Sequence, residues 1–319
     1  MNQSVPHANR TVDDFVRRLQ ILINLPTFIF GLVLNTFALS RLCFKFRKTN
    51  ESVIYMINLI MSDILLLFSL PFKIYAFQTV EWYLGPAFCT FLESLYYVNT
   101  YGGILLITLI GLDRYISIKH PFLARSFRSP QKAAIACTIV WVVVWSGSAC
   151  LYVKGTPRTT CFFNHGSSVW TIQIVALLQT IFLISALTMV FCSVQIIRSL
   201  RKSGAMKDGD VFSHQSMKIV LSNLSTFLMC FAPYHVAMLL YFLARNSLML
   251  ESYLVPLRNV LQICLCLANV NCVLDAMYYY FVFREFRVPN KDPPPVLLPA
   301  APAGSSKHFG VLRREKTAQ

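Results

Sequence analysis

Two aspartates lie deep inside apolar sequence, Asp63 in "NLIMSD" and Asp275 in "NVNCVLD", and Asn35, Asn58, Asn99 and Asn271 occupy similar surroundings. Carboxylates brought together at low dielectric do not both ionise comfortably, so one holds a proton or a cation sits between them. Ionisable groups at bilayer depth are costly and are first candidates for function. A pair of aspartates on separate helices is also the equipment of an intramembrane aspartyl protease, but "VLDAMYY" lacks the glycine-rich surroundings such an enzyme needs at its second aspartate. The plainer reading is an amide–carboxylate network that joins helices.

A second constellation is "GLDRYISIKHP", Gly111 to Pro121, where an apolar run breaks into charge. Asp113 and Arg114 are adjacent, so on a helix they point about 100° apart. With neither a nucleophile nor a histidine base adjoining them, they read as a conditional ion pair rather than a catalytic dyad. Lys73 is the third. It follows Pro71 and lies ten residues outward of Asp63, so it faces other helices or snorkels to the interface. Glu93, Tyr97 and Tyr101 recur every four residues and share one helix face, where Glu93 would meet Lys73 or a ligand hydroxyl. His235, one turn from Phe231, either senses charge or bonds a neighbouring backbone group. Phe231, Tyr234, Leu239 and Phe242 suit an acyl chain or a packed core equally. Arg245 and Arg258, with Lys154 and Arg158, would make an electropositive mouth or be ordinary interfacial basics. No His/Cys cluster has metal-ligand spacing, and Cys264-x-Cys266 has no partner motif. No cofactor is expected.

The chain that positions these residues has 319 residues, 55% of them hydrophobic and only 13% charged, with a mean hydropathy of +0.55. Soluble domains are about 25% charged. Apolar runs at Ile21–Leu42, Val53–Phe77, Phe88–Ile118, Ala133–Tyr152, Trp170–Leu200, Met217–Leu243 and Tyr253–Phe283 each reach the roughly 20 residues that cross a bilayer core. The expectation is an all-α membrane protein, a seven-transmembrane helix bundle with a short interfacial helix at Arg284–Val288 and a disordered C-terminal tail. Its divisions would be an extracellular N-terminus over 1–18, a transmembrane bundle over 19–288 and a cytoplasmic tail over 289–319.

The net charge of +15 would suit nucleic acid, but most Lys and Arg fall in short loops near 45, 125 and 207 and after Phe283. Such loops stay cytoplasmic, which puts the N-terminus outside and leaves no nucleic-acid partner. Met1–Arg18 contains no apolar stretch of signal-peptide type. Asn2 and Asn9 stand in glycosylation sequons on that outer segment. Cys89 opens span three on the outer side, and Cys161 sits in the external loop between spans four and five. The exterior is oxidising, so a Cys89–Cys161 disulfide is the natural pairing.

Taken in order, Gly31–Asn35, Asp63, Cys89, Asp113-Arg114-Tyr115, Trp141, Phe231-x-Pro233 and Asp275-x-x-x-Tyr279 resemble the marks of rhodopsin-like (class A) G-protein-coupled receptors, from Ile21 to Arg287. The phrases "IYMINL", "SLPFK", "RSPQK" and "ANVNCVLDAMYYYFVFREFR" are similar to the branch of the lysophosphatidylinositol receptor and its kynurenic-acid-responsive relative. The resemblance implies a plasma-membrane receptor, not an enzyme. Its ligand would be an anionic lysophospholipid contacted by Lys73, with a nucleotide, small aromatic acid or peptide as the alternative. Its partners would be membrane lipids, a heterotrimeric G protein of the Rho-activating or inhibitory class, and arrestin.

The resemblance also assigns Asp113, Arg114, Tyr115, Pro233, Asp275 and Tyr279 to coupling and switching, and Asp63, Asn99, Asn271 and Asp275 to a sodium or proton site. Three departures stand out. Span five lacks a proline around Leu183–Leu187, Gly103 replaces a serine beside Asp63, and Ser213 occupies the place of a second acidic partner for Arg114. With Asp113 alone holding Arg114, basal signalling is expected.

Overall fold

The computed structural model describes residues 7–45, 51–79, 82–152, 161–162, 170–202 and 211–277. Among them the regular elements are helical: α1 (His7–Lys45), α2 (Glu51–Thr79), α3 (Pro86–Lys119), α4 (Pro121–Phe127), α5 (Pro130–Tyr152), α6 (Ile172–Lys202), α7 (Val211–Arg245) and α8 (Leu254–Asn269). A single 3₁₀ turn, Glu251–Tyr253, precedes α8. Seven stretches are long and apolar enough to cross a membrane, the seventh running from Glu251 to Met277 through α8. Leu22, Phe30, Leu187 and Met229 point outward with 60–73% of their surface exposed. In water such a surface would drive association, whereas lipid solvates it.

The core of α3 is 72% buried, against 28% for the corresponding windows of α1, α5 and α6. Helix α3 is therefore the axis, packed on α2, α5 and α6, while α7 packs on α6 and α8, and α1 on α2 and α8. Glycine permits the closest approaches. A Cβ on Gly31 would lie 2.6 Å from Leu67 Cδ2 and 3.3 Å from Cys272 Sγ, so α1, α2 and the seventh span meet there with no room for a side chain.

The elements differ from expectation in three places. Helix α1 begins at His7, well before the apolar run, and its polar first turns carry an Asp14–Arg17 ion pair at 3.0 Å. The basic loop near 125 is itself helical: Pro121 starts α4, because a proline at a first helical position loses no needed N–H bond. The seventh span is not one even helix. Val270 N donates to Leu267 O at 3.1 Å and Val273 N to Val270 O at 3.0 Å, a 3₁₀-type tightening at the turn between Asn269 and Asn271. Helix resumes over 271–277. Tyr279, Arg284–Val288, the tail and Asn2 lie outside the described residues, as does the side chain of Asn9.

Candidate functional site

Helix α3 runs from a disulfide at one end of the bundle to Arg114 at the other. The Cys89–Cys161 bond joins the first turn of α3 to the segment that follows α5. A Glu93 carboxylate oxygen lies within 4.8 Å of both sulfurs, but they are bonded to each other and offer no thiolate to a metal. The next residue, Phe162, has φ 68°, a left-handed conformation that is strained for an aromatic residue. Its backbone N–H donates to Glu93 Oε1 at 3.0 Å, which holds it there. The Phe162 ring then packs edge-on against Tyr96 and Trp82. Glu93 thus anchors the disulfide-bearing segment, and no ion pair within 4.0 Å joins it to Lys73 among the described residues.

Lys73 is 1% exposed, one of the largest fully buried side chains described. Pro71 sits within α2, and Lys73 projects inward rather than snorkelling. Its Nζ stands 4.5 Å from the Tyr96 ring centroid, 5.7 Å from that of Phe77 and 3.9 Å from Cys266 Sγ. Aromatic faces and a sulfur attract an ammonium group but do not neutralise it. No carboxylate among the described residues approaches within 4.0 Å.

Tyr97 and Tyr101 stack on one another at 6.3 Å. Tyr101 OH lies 3.4 Å from His235 Nε2, and His235 Nδ1 lies 2.8 Å from the Phe231 carbonyl. Nδ1 must donate to a carbonyl, so Nε2 accepts from Tyr101. With Phe182 stacked on its ring at 4.0 Å, His235 is a buried tie within α7 and to α3 and α6. Gln179 adds a bond to the His235 carbonyl at 2.7 Å. Phe231 is 2% exposed beneath this stack, one residue pair from Pro233. Arg245 is exposed and Arg258 half-buried, both at the disulfide end and apart from Lys73 in burial.

Halfway along the bundle the expected polar network is present. Asn99 Nδ2 donates to Asp63 Oδ1 at 3.2 Å, and Asn271 Nδ2 donates to Asp275 Oδ2. The two carboxylates are close enough to repel one another. Asp63 Oδ2 and Asn271 Oδ1 are buried without a hydrogen-bond partner. Orphaned oxygens beside carboxylates are a donor set that suits a small hard cation. A Cβ on Gly103 would make only ordinary contact, 3.8 Å from Phe231 Cζ, so the missing serine leaves open space rather than a clash. Two further asparagines join helices. Asn35 Nδ2 donates to the Cys272 carbonyl at 2.9 Å, linking α1 to the seventh span, and Trp141 Nε1 donates to Asn58 Oδ1 at 2.8 Å.

At the far end the expected Asp113–Arg114 pair is not what forms. Arg128, the residue that caps α4, donates from Nε to Asp113 Oδ1 at 2.8 Å and from Nη2 to Oδ2 at 3.1 Å. Ser52 Oγ donates to Oδ2 at 2.9 Å, and Glu51 lies 3.4 Å from Arg128 Nη2. A planar guanidinium matches a carboxylate bidentately, and Arg114, one residue on, points about 100° away. Arg114 instead lines a small cleft with Gly111, Met189, Ile196, Val220 and Asn223, between α3, α6 and α7. Tyr115 OH meets His120 Nε2 at 3.2 Å, and Lys119 Nζ donates to Gln195 Oε1 at 2.6 Å, tying the end of α3 to α6.

Arg128, Ser52 and Phe162 carried no warning in the sequence, since each owes its role to a partner more than 14 positions away. Gln20 and Asn24 did carry one. Four apart in "RLQILINLPTF", they share a face of α1, but Gln20 lies just before the apolar run.

A central α3, a disulfide over one end, an aspartate–asparagine network at mid-depth and an Arg114 cleft at the other end define a seven-helix receptor. The family model for the 7 transmembrane receptor (rhodopsin family) matches residues 34–279, and the chain belongs to that family. It is similar to G-protein coupled receptor 55 of Mus musculus, 37% identical over 87% of this chain and 90% of that one. It is also similar to lysophosphatidic acid receptor 6 of Gallus gallus, 33% identical over 85% of this chain and 92% of that one. Human lysophosphatidic acid receptor 4 is 32% identical over 88% of this chain and 79% of its own length. The chain is thus a multi-pass plasma-membrane receptor with relatives among lysophospholipid receptors, and it is not a protease. Membership implies an extracellular ligand and coupling to a G protein.

Proposed function

We propose that this receptor, with its N-terminus outside the cell, binds an anionic lysophospholipid near Lys73 and activates heterotrimeric G proteins of the Rho-linked class. The observation that carries the reading is the buried Lys73. A cation held between aromatic faces, with no carboxylate within 4.0 Å among the described residues and Glu93 acting on it only from farther off, is a costly arrangement that an anionic head group would relieve. The acyl chain would lie against the packed Tyr97, Tyr101, His235 and Phe231 side chains, with Glu93 holding the segment above and Arg245 and Arg258 drawing the anion in.

Binding favours the bundle arrangement in which α7 swings away at the Arg114 end, a population shift between two states. Pro233 interrupts the backbone ladder of α7 and supplies its bend. The opened cleft exposes Arg114 and Tyr115 to the G protein, with Tyr279 completing the surface. Asp63, Asn99, Asn271 and Asp275 hold a sodium ion or a proton that offsets the repulsion between the carboxylates. The two lysophosphatidic acid receptors among the relatives support the ligand class.

The test is a panel of G-protein activation reporters in cells expressing the chain, challenged with lysophospholipids, nucleotides and small aromatic acids. A response to lysophospholipids alone, through the Rho-linked class, is expected. A response confined to either other class would overturn the ligand assignment.

A further inference from the structure

The segment "RSPQK", Arg128 to Lys132, joins α4 to α5. Beyond the bond of Arg128 to Asp113, nothing above gives it a task. Arg128 is extended, with φ −81° and ψ 128°. Ser129 follows it outside any helix and is half-buried, while Pro130, Gln131 and Lys132 are exposed. The Ser129 carbonyl accepts from Ala133 N at 3.1 Å, which starts α5. A helix end opens at low cost, because its first N–H groups have no intrahelical acceptors to lose. An enzyme that needs this segment extended could therefore draw it out.

Pro130 and Lys132 give Ser129 a specific setting. A proline directly after a hydroxyl residue brings no N–H, so it suits a kinase whose pocket for that residue is apolar and asks for no backbone donor. A lysine two residues further offers a cation to an acidic groove. Serine or threonine precedes proline at two places in the chain, Ser129 and Thr156. Three residues after Thr156 comes the uncharged Thr159, and that loop is the one expected outside the cell.

We infer that Ser129 is a phosphorylation site for a proline-directed kinase, and that the phosphate loosens the Arg128–Asp113 pair. The Ser129 hydroxyl oxygen attacks the γ-phosphorus of ATP, the bond from that phosphorus to ADP breaks, and the hydroxyl proton passes to the kinase's base. The product carries about two negative charges at neutral pH. Lys132, three residues on, is a neighbour on the helix surface. It exchanges its 3.5 Å bond to the Ser126 carbonyl for the phosphate. Arg128 adjoins Ser129 and has 27% of its side chain exposed. A dianion beside it competes with the single charge of Asp113 for the guanidinium fork. The modification acts in the same direction as losing Arg128, toward the arrangement with an open Arg114 cleft. The inference rests on the reading that puts this end of the bundle inside the cell.

Two measurements on the full chain test it. Phosphate is mapped by mass spectrometry on receptor from mammalian cells, and on receptor in detergent treated with a cyclin-dependent kinase and ATP. Ser129 should be modified in both, and Pro130→Ala should remove the modification from both. The phosphorylated receptor, reconstituted with the G protein that the reporter panel identifies, should show ligand-free activation about twofold or more above its phosphatase-treated form. That difference should vanish in Arg128→Ala. No phosphate on Ser129 in either preparation overturns the site, as does phosphate confined to Ser126. Ser129 modified in detergent alone overturns its use in the cell, and if Thr156 is then the residue modified in cells, the orientation falls instead. Equal activity of the two forms, or a difference that survives Arg128→Ala, overturns the action on the Asp113 pair.

Discussion

Replacing Arg128 with alanine removes a bidentate pair from Asp113 and the nearby charge from Glu51, leaving Ser52 as the remaining donor to the carboxylate. Asp113 has 7% of its side chain exposed, but Arg128 has 27%, so water screens part of the interaction. Breaking a fully buried pair costs about 3–5 kcal/mol and an exposed one under about 1 kcal/mol. The intermediate burial puts this pair at about 1–3 kcal/mol. The pair ties α4 to the base of α2 and α3 in the arrangement where the Arg114 cleft is small. Its loss therefore raises the active population by roughly fivefold or more. Ligand-free G-protein activation, normalised to surface expression, reads that change.

Asp113→Asn alone should have the same effect, and adding it to Arg128→Ala should add little. The double-mutant cycle then returns a coupling energy above about 1 kcal/mol. Strict additivity, or basal activity unchanged in all three variants, would refute the reasoning. It would also revive Asp113 as the partner of Arg114.

Two further outcomes follow from the packing and the mid-depth network. Gly31→Ala places a Cβ 2.6 Å from a carbon of Leu67, which is itself 1% exposed and has nowhere to go. About 1–3 kcal/mol of stability should be lost, seen as a lower melting temperature in detergent, and an unchanged melting temperature would contradict the packing. Thermal stability should rise when sodium chloride replaces choline chloride at constant ionic strength, because a cation bound only by the folded state stabilises it. Asp63→Asn should abolish that dependence while its amide oxygen still accepts from Asn99, and an undiminished sodium effect would place the ion elsewhere.

The bundle was legible because membrane spans announce themselves locally, by about 20 apolar residues each, and because a buried aspartate or lysine is conspicuous in such runs. Asp63, Asn99 and Lys73 lie where their sequence surroundings put them, and the Cys89–Cys161 pair followed from which side of the membrane each cysteine occupies. The partner of Asp113 was illegible. Adjacency in sequence drew attention to Arg114, whereas helix geometry turns that residue away and lets Arg128, 15 residues on, close the pair from α4. That short helix was hidden because Pro121 signals a stop and a start alike. Glu93 was read as meeting Lys73 or a ligand hydroxyl. Its bond to the Phe162 backbone depends on a left-handed residue in a loop, for which the sequence offers no glycine as a marker. The uneven seventh span was invisible because Asn269 and Asn271 are compatible with a continuous helix.

The central claim, that buried Lys73 is kept for an anion from outside, is tested most directly by Lys73→Met in the purified receptor, with thermal stability and lysophospholipid potency measured together. Methionine fills the same space between Tyr96 and Phe77 without a buried ammonium. The account predicts a ligand-free protein at least as stable as the original, with lysophospholipid potency reduced by about thirtyfold or more for loss of a desolvated charge pair. Unchanged potency would contradict the account. So would a destabilised protein whose residual response keeps its original potency, since Lys73 would then be structural.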